Sequence, residues 1–494
     1  MQVNQLMFSS NSTTTDLYGK GDAMVTQKTG VHAAEIEIKS DIGPRLDRLP
    51  WTKWHTLILC GLGFAWFLDS LEASIIGSLL GILKKVWSFS PVQGSLTVST
   101  WLVGIMVGTL LFGYLADKYG RKKMFILTLV WYASFTAMAA FSPNVWFFIV
   151  VRFFAAVGIG GEYVAIGSAV VEFIPKMSRG KTDSLVQSLW PLGAAGSGLL
   201  IVLMLKVLPP ELAWRAGFGM AVFLAICAMY VRRFVPESPR WLVLHGRDEE
   251  ARVIVEQAEE AAKQSYGLVE LLPVTPITIQ REKRNAWEQT KELWKDYPGR
   301  ILMGSALNFS QVAFGYGSIA YTSLVLFPGT NTPPEKVPFY MMISFLFATV
   351  GGLTATVMLD RFGRKPTAIL SYGGQLIAGL SMILVNTSYG ALASLCFMQY
   401  CYTWAWVAER IINSEIFPTR SRAFGLGWVI CLGRIGGVIS PIVLTAVYEA
   451  TKSIVYVAFA LAFLCLFGFV ASIYWAWKGV EGKHRSLESM VHIA

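Results

Sequence analysis

Asp69 and Glu72 stand three residues apart in the stretch "WFLDSLEASIIG" (66–77), inside an apolar run from about Leu57 to Leu83. A charge in hydrocarbon is costly, so an acid kept there faces a cavity or a partner and is a candidate for carrying protons or ions. Arg152 in "RFFAAVGIGGEY" (152–163) and Arg434 in "CLGRIGGVISP" (431–441) have comparable surroundings. If each run is a helix rising about 1.5 Å per residue through about 30 Å of hydrocarbon, the three can be placed by depth. Measured from the face nearest Leu57, Asp69 lies about 18 Å up, Arg152 about 21 Å and Arg434 about 17 Å. One layer then holds charges from three separate helices, with Glu72 one turn above Asp69 and without an assigned partner. Burial raises a carboxyl's proton affinity and a nearby cation lowers it, so an arginine that approaches and leaves an acid in this layer makes a proton switch. Glu162, and Glu409 with Arg410, fall nearer the inner ends of their helices and read as parts of a latch there, with a proton relay as the alternative.

The elements that must position these groups are legible in bulk composition. Of 494 residues, 54% are hydrophobic and 15% charged, against about a quarter charged in soluble proteins. Mean hydropathy is positive. Twelve apolar runs of spanning length lie near 57–83, 94–116, 122–142, 146–171, 183–207, 212–235, 300–327, 338–359, 366–386, 390–414, 423–447 and 453–477. An all-α, multi-pass membrane protein in a lipid bilayer follows. The net charge of +10 concentrates in alternate loops, around Lys118 to Lys123, Lys176 to Lys181, Arg361 to Lys365 and Arg420 to Arg422. That bias places both termini in the cytoplasm and excludes nucleic acid as the reason for the charge. Cys60, Cys227, Cys396, Cys401, Cys431 and Cys465 all fall in apolar runs, where they read as small hydrophobes. No metal site, cofactor loop or nucleophile set is apparent, so neither an enzyme nor a bound cofactor is expected.

Two patterns recur. "DKYGRKK" from Asp117 matches "DRFGRKP" from Asp360, and Glu172, Pro175 and Arg179 match Glu415, Pro418 and Arg422. Both pairs are offset by 243 residues. The chain therefore divides into a polar segment 1–50, a six-helix half 51–235, a linker 236–299 with amphipathic helices, a second six-helix half 300–478 and a tail 479–494. Parallel halves with a site between them describe a transporter that alternates its access. "GYLADKYGRKK" (113–123) resembles the signature loop of the major facilitator superfamily, and 152–163 resembles its fourth-helix motif. "PESPRWL" (236–242) and "EIFPTRSR" (415–422) are similar to motifs shared by sugar porters and organic anion and cation transporters.

That resemblance, over about residues 45–488, implies the twelve-helix, two-half major facilitator fold acting as a monomer in the plasma membrane. It also implies roles. Asp69 matches the first-helix acid that binds a coupling proton and Arg152 the fourth-helix arginine that releases it, with Glu72 beside them. Asp117, Arg121, Glu172, Arg179 and Glu237 with Arg240, Asp360, Arg364, Glu415 and Arg422 are expected to pair as a cytoplasmic gate. Arg434 lies in a stretch similar to the organic anion and nicotinate branch, where a span-11 arginine goes with carboxylate substrates. Gln187 and Trp190, Asn308, Gln311, Tyr316 and Tyr321, and Tyr400 and Trp404 are the amides and aromatics expected to line the site. "NFSQVAFGYGS" (308–318) departs from the paired glutamines of sugar porters. The expected activity is symport of a proton with a small organic anion, a monocarboxylate with or without an aromatic ring. A sugar porter is the alternative, and a nutrient-sensing transceptor fits less well with so short a tail.

Overall fold

The computed structural model describes residues 25–27, 36–175, 178–232, 235–267, 271, 273–281, 286–417 and 422–479. Strands β1 (Val25–Gln27) and β2 (Ile36–Ser40) lead to a short helix α1 (Ile42–Asp47). The first half comprises α2 (Lys53–Trp87), α3 (Pro91–Tyr119), α4 (Arg121–Ala139), α5 (Val145–Phe173), α6 (Arg179–Val207) and α7 (Pro210–Arg232). Between the halves lie α8 (Pro239–Leu244), α9 (Asp248–Tyr266), β3 (Ile277–Arg281) and α10 (Ala286–Asp296). In the second half, α11 (Pro298–Tyr321) runs through a π-helical turn, Thr322–Leu326, into a last turn α12 (Phe327–Gly329). It continues with α13 (Val337–Phe362), α14 (Arg364–Leu380), α15 (Ser388–Glu415), α16 (Arg422–Thr451) and α17 (Ile454–Lys478).

Each of the twelve expected runs is a helix. Among the described residues ten are long and apolar enough to cross a membrane. The other two are α4, which opens Arg-Lys-Lys, and α15, which carries Gln399, Glu409, Arg410 and Asn413. Inside each half the packing repeats. Helix α3 lies on α5, α2 on α6 and α7, and α4 on α5 and α7; correspondingly α13 lies on α15, α11 on α16 and α17, and α14 on α15 and α17. Across the interface α6 packs on α13 and α3 on α16, an exchange that a two-fold relation between halves makes equivalent.

The 243-residue offset extends to backbone conformation. Gly120 and Gly363 both take positive φ, 100° and 89°, and turn α3 into α4 and α13 into α14. A side chain resists that region, which accounts for glycine at both places. Gly108 and Gly351 repeat in the same way. A Cβ on Gly108 would lie 1.9 Å from the Val157 carbonyl oxygen, and one on Gly351 2.2 Å from that of Tyr400. Small residues let these helices meet backbone to backbone, which in lipid supplies packing that the hydrophobic effect does not.

The polar N-terminal segment and the linker, expected as separate pieces, are joined. The strands form an antiparallel sheet in the order β1-β2-β3, with Ile38 opposite Ile279. Ile42, Leu46 and Leu49 share a small core with Trp241, Leu242, Val255 and Ala258 of α8 and α9. Arg45 donates to both carboxylate oxygens of Glu259, at 2.9 and 2.7 Å, and Arg48 adds a third bond. Helix α10 instead packs with the second half, through Leu293 and Trp294.

Burial pushes the Glu259 carboxyl up, but the hydrogen bonds and charges of Arg45 and Arg48 outweigh it and hold the group below the usual carboxylate range. A depressed native value means that Glu259 favours docking of α1 above the ordinary carboxylate pKa of about 4.3 and loses that contribution as pH falls through the native value. Hydrogen exchange of residues 42–49, corrected for intrinsic rates, is therefore expected to accelerate on acidification below about pH 4. In Glu259→Gln it should be fast already at neutral pH. Equal protection in the variant would show that the apolar contacts alone dock the segment.

Candidate functional site

Helix α2 carries both acids of the opening stretch to the inside of the first half, where each is 1% exposed. They have different partners. Tyr132 of α4 donates to Asp69 at 3.2 Å. Glu72 accepts from Thr136 of α4 at 2.8 Å and from Arg152 of α5 at 2.9 Å. Arg152, also 1% exposed, lies over the Phe218 ring at 5.3 Å. The expectation that Glu72 has no partner is thus corrected: it holds the fourth-span arginine in a buried ion pair. Depth along a helix contains no information on which side of α2 faces α5.

A cavity of about 60 Å³ lies where the halves face each other. From the first half, Ser74 and Gly77 of α2, Trp101 of α3 and Trp190 of α6 line it; from the second, Tyr316 of α11 and Gln399, Tyr402 and Thr403 of α15. Ligand pockets usually run from about 300 Å³ upward, so the halves must part before an organic solute fits. Arg434, on α16, is near enough for its charge to act on both cavity phenols, Tyr316 and Tyr402. Gln311, buried on α11, lies beside Tyr402. The Gln399 amide, the Thr403 hydroxyl and the Trp101 indole N–H are buried at the cavity with no hydrogen-bond partner in the protein, which leaves them for a solute.

Of the expected lining residues, Trp190 and Tyr316 reach the cavity. Gln187 is buried nearby on α6. Asn308 turns instead to Glu409, donating at 3.1 Å. Tyr321 packs edge-on to Tyr448, and Tyr400 and Trp404 pack on each other, with Trp404 against Ala355 and Leu359 of α13. Sequence reading missed Ser74, Trp101, Gln399, Tyr402 and Thr403. Each lies among other polar or aromatic residues of a spanning run, and only the helix azimuth tells it from a packing residue.

The ends of the bundle differ. At the end carrying the basic loops, Glu237 accepts the backbone N–H groups of Arg121 at 3.1 Å and Lys122 at 3.1 Å. It thereby occupies the N-terminus of α4, where N–H groups lack helical partners. Arg364 pairs with Glu415 at 2.7 Å and Arg240 with Asp47 at 3.9 Å. Each of these contacts lies within one half or between the linker and its neighbours. The side chains of Asp117, Glu172, Arg179, Asp360 and Arg422 lie outside the described residues. At the opposite end the bonds do cross. Lys84 donates to the Leu324 carbonyl in the π-helical turn at 3.0 Å, Lys85 pairs with Glu335 at 3.3 Å and Thr445 donates to Ser95 at 3.1 Å. That end is closed.

Two pseudo-symmetric six-helix halves, each with buried ionisable groups and with a small cavity between them, define a multi-pass secondary transporter of the major facilitator fold. The chain belongs to the sugar (and other) transporter family, whose model matches residues 46–493. It is 28% identical over 453 residues to the niacin transporter NiaP of Acinetobacter baylyi, covering 91% of this chain and 99% of that one. It is 26% identical over 469 residues to organic cation/carnitine transporter 7 of Arabidopsis thaliana, covering 85% and 92% respectively. Among solved structures, a partially occluded, inward-open conformation of the xylose transporter XylE from E. coli matches with a TM-score of 0.69 at 19% identity, covering 88% of this chain and 100% of that one.

Proposed function

We propose that this protein carries a small organic anion together with a proton, as a monomer in the plasma membrane with both termini cytoplasmic. The observation that carries the reading is the unequal placement of charge. The acids Asp69 and Glu72 are engaged by α4 and α5, while the guanidinium of Arg434 acts on the phenols that line the cavity. A solute in the cavity therefore meets a positive field, which favours a carboxylate. Trp101, Trp190, Tyr316 and Tyr402 add flat apolar surface suited to an aromatic ring. The resemblance to a niacin transporter supports the same substrate class. Protonation of Asp69 would supply the coupling, and alternating access would follow from rupture of the Lys84 and Lys85 contacts as one end opens.

A sugar is the second reading, because the buried Gln399 amide and Thr403 hydroxyl could equally bind a polyol. Uptake into proteoliposomes of labelled nicotinate, benzoate, lactate, glucose and xylose, with and without an inward proton gradient, separates the two. Gradient-stimulated uptake of the carboxylates, with the sugars left outside, is expected. Gradient-stimulated uptake of glucose or xylose alone would replace the anion reading with the sugar one.

A further inference from the structure

Glu409 is a buried acid that this coupling scheme does not use. It sits on α15, 2% exposed, more than a turn before the helix ends at Glu415. Its Oε1 accepts from Nδ2 of Asn308 at 3.1 Å and from Nδ2 of Asn413, one turn along the same helix. Asn308 and Asn413 are 6% and 2% exposed. The amide oxygens of both are buried and have no hydrogen-bond partner in the protein. The other titratable groups around Glu409 are Arg410 and Tyr402 on its own helix, Tyr372 on α14 and, beyond Tyr372, Cys465 on α17. The Tyr372 hydroxyl is already committed, donating to the Leu307 carbonyl at 2.9 Å. Helix α13 contributes apolar Ala355 and Leu359 to this part of α15. Helix α16 abuts the cluster at Gly433, where a Cβ would come within 2.2 Å of Asn308 Oδ1. Arg434 is the next residue.

The arrangement suits an acid in both of its protonation states. An ionised carboxylate only accepts, and two amide N–H groups are supplied to it. A protonated carboxyl must also donate, and two unclaimed amide oxygens lie one side-chain rotation away, reachable without moving the backbone. A purely structural hydrogen bond needs neither second acceptor. We infer that Glu409, cradled by Asn308 and Asn413, takes up and releases a proton within the second half, so that its charge alternates at Tyr402, the cavity phenol on which Arg434 also acts. Ionised, Glu409 offsets the positive field of Arg434; protonated, it leaves that field to the solute. This consequence for the solute rests on the anion reading above, whereas the protonation does not.

Infrared pH-difference spectroscopy of the purified protein in lipid, without solute, reads the protonation directly. The wild-type titration should contain a protonated-carboxyl C=O band that Glu409→Gln removes and Asp69→Asn retains. Removing the cradle in Asn308→Ala should shift the midpoint of that band. Glu409→Asp, a variant with the same charge, should keep a band at a changed frequency, which guards against misfolding of Glu409→Gln. Spectra of Glu409→Gln and Glu409→Asp that match the wild type across the pH range would overturn the inference. Nicotinate binding, followed by tryptophan fluorescence, adds the second arm. Above the midpoint Glu409→Gln should bind about 5–150-fold more tightly than wild type, the usual span of coupled sites. Loss of the infrared band with no gain in nicotinate affinity would uphold the protonation and count against the anion reading.

Discussion

Arg434→Ala is expected to lose nicotinate binding almost completely. Truncating one member of a buried, hydrogen-bonded charge pair costs about 2–5 kcal/mol, which corresponds to about 30-fold to a few thousand-fold in affinity. Arg434→Lys should fall between the two, because an ammonium keeps the charge but loses the planar fork that grips a carboxylate with two parallel bonds. Gly433 and Gly436 bring α16 close against Asn308 and Phe309, so the guanidinium is carried by a rigid helix contact and not by a loop. Isothermal titration of the purified variants reads the effect. A well-folded Arg434→Ala that binds nicotinate as tightly as wild type would remove the basis for an anionic substrate and strengthen the sugar reading.

The second large effect separates the two acids of α2. Asp69→Asn should abolish accumulation driven by a proton gradient while leaving nicotinate exchange intact, since an amide oxygen can still accept from Tyr132. Glu72→Gln should act on stability. It removes the negative partner of a fully buried arginine, and breaking a buried ion pair from one side costs about 3–5 kcal/mol. Thermal unfolding in detergent should fall sharply for Glu72→Gln and little for Asp69→Asn, and transport should show the reverse order. Asp69→Asn that still concentrates nicotinate against a gradient would take the coupling role away from Asp69.

The fold was legible because lipid imposes a coarse rule. A spanning helix needs about 20 apolar residues, and each of the twelve runs that met it is a helix. The offset of 243 between the two copies of the basic loop marked the halves, and it recurs in Gly108 and Gly351, whose role only the helix crossings reveal. Depth along a helix could also be counted, which put the α2 acids level with Arg152, and Glu72 and Arg152 do meet. Azimuth could not be counted. Asp69 and Glu72 differ by less than one turn, and which of them meets α5 depends on how α2 is rotated in the bundle. The same gap hid Gln399, Thr403 and Trp101, and it made Tyr321, Tyr400 and Trp404 look like equals of Tyr316. The sheet was missed for another reason. "IEIKS" and "ITIQR" both alternate apolar with polar residues, a strand signal, but they lie more than two hundred residues apart in segments read as polar tail and solvated linker.

The claim that a proton and an organic anion move together is tested most directly by watching the proton. Proteoliposomes with an entrapped pH indicator are given external nicotinate in the absence of any initial pH gradient. The lumen should acidify faster than in protein-free liposomes or in those carrying Arg434→Ala, and glucose or xylose should leave it unchanged. Acidification no faster than in protein-free liposomes, or a response to sugar instead, would contradict the account.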